Sequence, residues 1–294
     1  MTRYRKILVA FDGSPSSVNA LRQAMALPEF EDSRMKVLAV VPPFEGDLEL
    51  AGVRDPRKVM EGQIETLVES AKEIAGPASE RIVAEVEHGT PYEKIVERAD
   101  EEGCDLVVMG RRGLGRLERM LIGSVTRRVI AHSTRDVLVV PTGAAIAPDR
   151  ILVATDGSAH GDAAVEAAMY FAASHGGALT AITVVQMFPE FYADAPLVVD
   201  RGEAEAAAVL DRVAKSAAST GLRLSTELRR GDPAHEVVSH AGASNAGMIF
   251  VGSRGLSGLK KLLLGSVAEK IIGLAHCPIY VAKLKRRPRL RRAS

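Results

Sequence analysis

The sequence predicts an α/β fold of two tandem, doubly wound domains, each with a five-stranded parallel sheet flanked by helices. Three observations support this prediction. The chain has 294 residues, which is enough for two domains of roughly 150 residues each. A segment of the first half recurs in the second half. Within each half, apolar runs typical of buried strands alternate with helical patterns, the order that gives parallel sheets with right-handed crossovers.

The internal repeat has the size of a whole domain. Residues 7–14 read ILVAFDGS, and residues 151–158 read ILVATDGS. Further along, LIGSV at residues 121–125 recurs as LLGSV at residues 263–267. A period of this length is far longer than a solenoid unit, so the pattern indicates a tandem duplication.

The duplication predicts the domain limits. We expect a first domain over residues 1–142, a second over residues 149–284 and a basic segment over residues 285–294. The join between the domains is short and made of small residues with one proline. So short a linker predicts that the two domains pack against each other.

The elements of the first copy follow from its apolar pattern. Strands are predicted at residues 6–11, 36–41, 81–87, 105–109 and 137–140. All but the third are nearly continuous apolar runs, which fits strands buried on both faces of a sheet. Helices are expected to begin near Ser14, to span about residues 56–75, to follow Thr90 and to begin near Gly123.

A helix-start signal marks the third helix in both copies. Thr90 is the expected N-cap, with Pro91 at the first helical position and Glu93 three residues after the cap. Asp232 and Pro233 repeat the cap and the proline in the second copy. Strands of the second copy are predicted near residues 150–155, 178–185, 223–229, 247–251 and 279–283.

The same glycine spacing follows the fourth predicted strand of each copy. Two residues separate the first two glycines, nine precede the third, and a serine comes next. Glycine lets the backbone turn at positive φ and approach a ligand closely. The Gly-Ser pair opens a helix, whose N–H groups favour phosphate, and Arg112 or Arg254 would pair with that charge. These residues are Gly110, Gly113, Gly123 and Ser124 in the first copy, and Gly252, Gly255, Gly265 and Ser266 in the second.

An alternative reading of these glycines is structural. They would then only form a turn after a buried strand and permit close packing of the next helix. The recurrence of the same spacing and the same Gly-Ser pair favours an anion site instead. In a doubly wound sheet, ligands bind beyond the carboxyl ends of the strands where the strand order reverses, so the loops after strands one and four should carry the site.

The motif G-x2-G-x9-G-[ST], together with a first strand followed by Asp, resembles the nucleotide-binding universal stress proteins. The resemblance covers nearly the whole chain as two tandem domains and implies ATP as the cofactor, with Mg²⁺ as an accompanying ion of unknown ligands. It places adenine near the Asp after strand one and a Val late in strand two, and the phosphates on the glycine loop. In the first copy the implied residues are Asp12, Val40, Met109, Gly110, Arg112, Gly113, Gly123, Ser124 and Val125. In the second copy they are Asp156, Val184, Val251, Gly252, Arg254, Gly255, Gly265, Ser266 and Val267.

The copies differ at three places. Arg111 stands where the second copy has Ser253, and this extra cation would either tighten phosphate binding or be solvated. The turn before strand five reads STRD at residues 133–136 but AHCP at residues 275–278, and the second is closer to the family. The segments after strand two also differ, and the sequence leaves open whether they are lids, interface pieces or plain loops.

Several enzyme classes lack their motifs in this sequence. The P-loop pattern G-x4-G-K-[ST] and the hydrolase pattern G-x-S-x-G are absent. We find no convincing nucleophile–base pair, paired acids or metal-ligand spacing, and so expect no catalytic residue. The first hypothesis is an ATP-binding regulatory protein of the stress response. The alternatives are an enzyme of the same fold that hydrolyses the nucleotide slowly, and an interaction scaffold with one or both pockets empty.

The formal net charge of +1 conceals an uneven distribution. The last twelve residues contain seven lysines and arginines and no acid, so the rest of the chain is acidic. We expect the basic tail to be a solvated extension, with weak, salt-dependent nucleic-acid binding as the alternative. No apolar run is long enough to span a bilayer, and the expected location is the cytoplasm. Cys104 and Cys277 are expected to be buried apolar residues.

The resemblance also implies a mode of assembly. Universal stress domains pair through their fifth strands, so the two linked copies would pair within one chain as a pseudo-dimer. A further homodimer is compatible with this arrangement.

Overall fold

The computed structural model describes residues 4–43, 56–113, 122–186, 196–255 and 264–284. In the first copy, the elements are β1 (Lys6–Ala10), α1 (Pro15–Met25), β2 (Arg34–Val41), α2 (Pro56–Ala75), β3 (Ile82–His88), α3 (Pro91–Glu101), β4 (Leu106–Gly110), α4 (Ser124–His132) and β5 (Asp136–Val140). In the second copy, they are β6 (Arg150–Ala154), α5 (Ala159–His175), β7 (Ala178–Gln186), α6 (Pro196–Ala218), β8 (Leu224–Gly231), α7 (Pro233–Ala243), β9 (Met248–Gly252), α8 (Ser266–Leu274) and β10 (Ile279–Ala282). The predicted α/β fold with tandem copies is confirmed.

The two predicted five-stranded sheets are joined into one ten-stranded sheet. Its strand order is β3-β2-β1-β4-β5-β10-β9-β6-β7-β8. Every neighbouring pair is parallel except β5 and β10, which run antiparallel at the centre. The fifth strands of the two copies therefore pair within the chain, as the resemblance implied.

The centre of the sheet is a point of internal two-fold symmetry. Leu138 of β5 lies opposite Tyr280 of β10, and these residues occupy the same position of the repeat. An antiparallel pair whose equivalent residues face each other relates its two halves by a two-fold rotation. This antiparallel pairing of β5 with β10 joins the two copies, and we call it and the contacts across it the seam.

Two apolar layers bury the sheet on both faces. One layer joins α1, α2, α5 and α6 to residues such as Val9, Val108 and Phe250. The other joins α3, α4, α7 and α8 to alternate residues such as Leu8 and Val107. Because successive side chains of a strand point to opposite faces, strands covered on both sides need the continuous apolar runs seen in the sequence.

The helix starts agree with the sequence signals, with one difference. Ser14 and Ser158 cap α1 and α5, and the Asp232 carboxylate accepts hydrogen bonds from two backbone N–H groups at the start of α7. Thr90 occupies the N-cap position of α3, but its side chain makes no capping hydrogen bond. Pro91, with its fixed φ, therefore supports this helix start without a hydroxyl cap.

The cysteines behave as apolar residues. Cys104 is buried and Cys277 half-buried, and both are free thiols. Burial raises the pKa of each thiol to about 11, so neither carries the thiolate that reactive cysteines need at neutral pH.

None of the helices within the described ranges is both long and apolar enough to cross a membrane.

Candidate functional site

The strand order reverses between β1 and β4 in the first copy, and between β6 and β9 in the second. Loops that leave the carboxyl ends of these neighbouring strands diverge to opposite faces and open a crevice between them. Asp12 and Asp156 lie in the loops after β1 and β6. The glycine motifs follow β4 and β9, so the structure brings both predicted parts to the same edge.

A backbone hydrogen bond closes each glycine loop. The N–H of Gly123 donates to the carbonyl oxygen of Arg111 at 2.9 Å, and that of Gly265 donates to Ser253 at 3.0 Å. The chain thus leaves the strand, makes its nine-residue excursion and returns to the same place. Residues 114–121 and 256–263 of these excursions lie outside the described residues.

The aspartate after the first strand touches the middle glycine of the motif. A Cβ added to Gly113 would lie 2.3 Å from Asp12 Oδ2, and one added to Gly255 would lie 2.6 Å from Asp156 Oδ2. Neither distance is sterically allowed for a real side chain. A side chain at either position would displace the carboxylate, so glycine lets the loop approach it without that shift.

Each of these carboxylates is also oriented by its own loop. Asp12 Oδ1 accepts a hydrogen bond from the N–H of Ser14 at 3.1 Å, and Asp156 Oδ1 accepts one from Ser158 at 3.0 Å. This is the local turn that Asp favours two residues before an N–H donor. The second oxygen of each carboxylate consequently points towards the glycine loop.

The expectation that the motif glycines turn the backbone at positive φ is wrong. None of the six motif glycines has a positive φ, whereas Gly13 and Gly157, directly after the aspartates, have φ values of 76° and 73°. Part of the structural reading is correct, because a Cβ on Gly110 or Gly252 would collide with the backbone at the start of α1 or α5. The motif glycines serve close approach, and the turn itself depends on the glycine after Asp.

The helices that follow the loops begin with N–H groups that no N-cap side chain accepts. Gly123 caps α4 and Gly265 caps α8, both without a side-chain hydrogen bond. Ser124 and Ser266 occupy the first turn and are exposed. Helix-start N–H groups without a side-chain cap, next to an exposed hydroxyl, are suited to a phosphate group.

A Cβ on Gly123 or Gly265 would be barely tolerated. It would lie 3.4 Å from the Arg111 oxygen in the first copy and 3.3 Å from the Arg254 Cα in the second. The space between the helix start and the loop is therefore one that a larger side chain would fill. Because both φ values are close to −64°, a substitution there blocks space without straining the backbone.

The apolar residues implied by the resemblance separate into two groups. Val40, Val125 and Val184 are half-buried against the layer under α3, α4, α7 and α8, and Val267 is exposed. These side chains offer partly exposed apolar surface at the strand ends. Met109 and Val251 are buried within β4 and β9, so their side chains belong to the core beneath this edge.

The arginines of the first copy have different surroundings. Arg112 is exposed, and its backbone is held by the hydroxyls of Ser14 and Ser16. Arg111 crosses the seam and donates from Nη1 to the carbonyl oxygens of Gly273 at 3.1 Å and Ala275 at 2.8 Å. The expectation that Arg111 binds phosphate or is solvated is wrong, because its guanidinium holds the C-terminal end of α8.

Sequence reasoning missed two polar groups beside the second copy's loop. Lys283 directly follows β10, and its ammonium group donates to the carbonyl oxygen of Ile130 in α4. His160 occupies the first turn of α5 and interacts electrostatically with Arg254. An alignment of the two copies would have indicated both positions, because Lys283 stands where the first copy has Pro141 and His160 where it has Ser16.

Comparison with known proteins agrees with the duplication. The sequence model of the Universal stress protein family matches residues 3–141 and again residues 148–283. Universal stress protein YxiE of Bacillus subtilis is 31% identical over 148 residues, which cover 46% of this chain and 99% of that protein. Universal stress protein MJ0531 of Methanocaldococcus jannaschii is 36% identical over 141 residues, which cover 46% of this chain and 81% of that protein. Each of these relatives corresponds to one copy.

A solved structure resembles the whole chain. A universal stress protein from Archaeoglobus fulgidus covers 95% of this chain and 98% of its own, with a TM-score of 0.70 and 24% sequence identity. At this identity the likeness concerns the fold, and it extends over both copies.

Proposed function

The chain is a tandem, two-domain member of the universal stress protein family, and from this premise we propose that each copy binds one adenine nucleotide. ATP is the ligand we favour, in a cytoplasmic protein that regulates the stress response. Nucleotide occupancy would then determine which conformation or partner surface the protein presents.

One observation carries the proposal. In both copies a backbone hydrogen bond of 2.9 or 3.0 Å closes the glycine loop. The uncapped helix start therefore lies beside a loop that also touches an oriented aspartate. If the glycines only formed a turn, a capping side chain at the helix start would be expected, and both helices lack one. A phosphate group would accept hydrogen bonds from the N–H groups left there.

The remaining residues fit the other parts of ATP. Half-buried Val40 and Val184 would contact the apolar faces of adenine, and the Asp12 and Asp156 carboxylates would accept hydrogen bonds from the base or ribose. Exposed Ser124 and Ser266 would donate to phosphate. The triphosphate of bound ATP would occupy the space between the helix start and the glycine loop. A Cβ on Gly123 or Gly265 would begin to fill that space. Mg²⁺ would accompany the phosphates, with ligands that stay unassigned.

The primary experiment measures nucleotide released by denaturing freshly purified protein, with its identity and its molar ratio to the chain. We expect an adenine nucleotide and up to two equivalents. Added ATP should raise the melting temperature, because a ligand that binds only the folded state stabilises it. No released nucleotide, together with an unchanged melting temperature, would overturn the proposal in favour of an interaction scaffold.

Two matched variants assign the sites. Gly123→Leu should remove one equivalent of bound ATP and leave the second, and Gly265→Leu should do the reverse. Circular dichroism and the melting temperature without ligand check that each variant folds. If both variants retain two equivalents, the assigned sites are wrong. Steady turnover of ATP that is lost in Asp12→Asn or Asp156→Asn would support the slow enzyme instead.

A further inference from the structure

Two cations cross the seam, and each reaches a helix that begins at the other copy's candidate site. Arg111 lies in the first glycine loop, and its Nη1 donates to the carbonyl oxygens of Gly273 at 3.1 Å and Ala275 at 2.8 Å, at the C-terminal end of α8. Lys283 directly follows β10, and its ammonium group donates to the carbonyl oxygen of Ile130 in the last turn of α4. Each copy therefore supplies a cation to the opposite copy's helix.

The backbone of each cation is fixed within its own surroundings. The N–H of Arg111 donates to the Val140 carbonyl at 3.1 Å, and the Arg111 carbonyl accepts from Gly123 at 2.9 Å. The N–H of Lys283 donates to Asp136 Oδ1 at 2.7 Å. Both side chains consequently reach across the seam from positions that are themselves held by hydrogen bonds.

The C-terminal end of α8 lacks a cation of its own. The last carbonyl groups of a helix have no partner within the helix, and a positive charge beside them is stabilising. Because α8 has no basic residue in its last turn, Arg111 supplies a charge that this helix's own sequence does not provide. In α4, Lys283 acts at the same end as His132, the basic residue of its last turn.

The two ends of α8 are linked by the stiffness of a short helix. Its nine residues span about 13 Å at roughly 1.5 Å per residue, so a group that holds the last turn also fixes the first. Hydrogen bonds to a phosphate group require donors placed to within about 0.5 Å. Buried Ala268, Ile271 and Ile272 also hold α8 on the sheet, so loss of Arg111 should shift the helix rather than release it.

We propose that Arg111 and Lys283 are positioning residues for the opposite copies' nucleotide sites, Arg111 through α8 for the second site and Lys283 through α4 for the first. This inference rests on the proposed nucleotide-binding function. It assigns a residue within the first copy's glycine motif to the second copy's site. Loss of Arg111 should weaken ATP binding at the second site by about fivefold, the lower end of typical coupling between sites.

The test removes the Arg111 side chain while keeping its backbone bonds. Arg111→Ser introduces the second copy's residue, and Ser253 makes the same two bonds, to Ala282 at 3.2 Å and from Gly265 at 3.0 Å. ATP is titrated by calorimetry at about pH 7 in Gly123→Leu, which leaves the second site, and in Gly265→Leu, which leaves the first. We expect the fivefold loss only at the second site. Arg111→Lys, whose ammonium group can donate to both carbonyl oxygens, should restore most of the affinity.

A second measurement avoids the glycine variants, because a Cβ on Gly123 would lie 3.4 Å from the Arg111 oxygen. The otherwise native chain is photolabelled with 8-azido-ATP below saturation, and mass spectrometry quantifies the label on residues 1–142 and on residues 149–284. Arg111→Ser should reduce the label on the second range and leave that on the first unchanged.

Lys283→Met tests the reciprocal half and keeps the backbone N–H that Asp136 accepts. Burial and Arg254 lower the pKa of Lys283 to about 8, against the effect of Asp136, so its ammonium group is still largely charged at pH 7. We expect a larger loss of affinity at the first site than at the second. An equal loss at both sites, or a loss at the second site alone, would overturn this half.

A stability control separates positioning from a general loss of stability. Ile82→Ala alters a buried residue of β3, the outermost strand of the first copy, and should lower stability without changing affinity at either site. Unchanged ATP affinity at the second site in Arg111→Ser, or an equal loss at both sites, would overturn the inference while ATP binding persists. If neither glycine variant loses an equivalent of nucleotide, the proposed function fails and this inference fails with it.

Discussion

The glycine loops of the two copies are built in the same way, whereas the seam between the copies is asymmetric. In both loops a backbone hydrogen bond joins the third glycine to the strand end, and the middle glycine lies against an oriented aspartate. At the seam, the hydroxyl of Tyr4 donates to that of Tyr280 at 2.9 Å, and Tyr280 donates to Asp136 Oδ2 at 2.6 Å. The repeat equivalents of these three buried residues are Pro148, Leu138 and Pro278.

The difference follows from how often each feature is needed. Each site needs its own loop, so the spacing must be present twice. A seam within one chain is formed only once, and either copy can supply either side of a contact. Asp136 also accepts the backbone N–H of Lys283 at 2.7 Å, so the acid of the turn before β5, where the second copy has Pro278, serves the seam.

The largest expected effect is at the centre of the seam. Tyr280→Leu introduces the first copy's residue and removes a stacked ring, 4.7 Å from Phe250, together with the hydroxyl bound to Asp136. We expect a loss of about 2–4 kcal/mol in the free energy of unfolding, measured by urea denaturation. Tyr280→Phe keeps the ring and should lose less. A stable Tyr280→Leu protein would indicate that the polar contacts at the seam contribute little.

The neighbouring arginines of the first glycine loop should have separate effects. Arg111→Ser, which introduces the second copy's residue, loses two charge-assisted hydrogen bonds and should lower stability by about 1–2 kcal/mol without changing nucleotide stoichiometry. Arg112→Ser alters an exposed side chain and should change stability by less than about 0.5 kcal/mol while weakening ATP binding at that site. Chemical denaturation measures the stability of both variants, and ATP titration measures their affinity. Weaker ATP binding at the first copy's site in Arg111→Ser, with unchanged stability, would show that Arg111 serves that site.

A buried ion pair between the copies should make stability depend on pH. Glu29 Oε2 of the first copy lies 3.4 Å from His175 Nε2 of the second, and both side chains are almost fully buried. The Glu29 carboxylate raises the pKa of His175 against the effect of burial. A raised pKa stabilises the fold below the ordinary imidazole value of about 6.5, and this contribution is lost as pH rises through the folded value.

As pH rises from below about 6.5 through the raised pKa of His175, the melting temperature should therefore fall more steeply in the wild-type chain than in Glu29→Gln. The glutamine keeps the shape of the side chain but has no charge to stabilise the imidazolium. An identical pH dependence in both proteins would contradict a role for this pair.

The smallest effect is expected from the basic tail. Removal of residues 285–294, which lie outside the described residues, should leave the stoichiometry and affinity of ATP unchanged, because the assigned site residues all precede them. Equilibrium binding of the truncated and full-length chains at two salt concentrations tests this. A tighter, more salt-dependent affinity in the full chain than in the truncated chain would assign the tail a part in binding.

The sequence predicted the strands, most helix starts and the tandem order because these depend on short-range patterns. A strand buried on both faces must be apolar along its length, as in β4 and β9, and Asp232 caps a helix only a few residues away. The glycine spacing indicated which loops carry the candidate sites. The reason for glycine was only half correct, since close approach to Asp12 and Asp156 is a contact between segments about 100 residues apart.

By itself, the sequence determined the fold class, the duplication and the position of both candidate sites, because repeated local patterns record them twice. Tertiary structure alone decided that Arg111 and Lys283 cross the seam and that Tyr4, Asp136 and Tyr280 meet there. These contacts join a side chain to a group more than 100 residues away in the sequence. A charged or aromatic residue at such a position is equally compatible with solvent, ligand or interface until the fold brings its partner within reach.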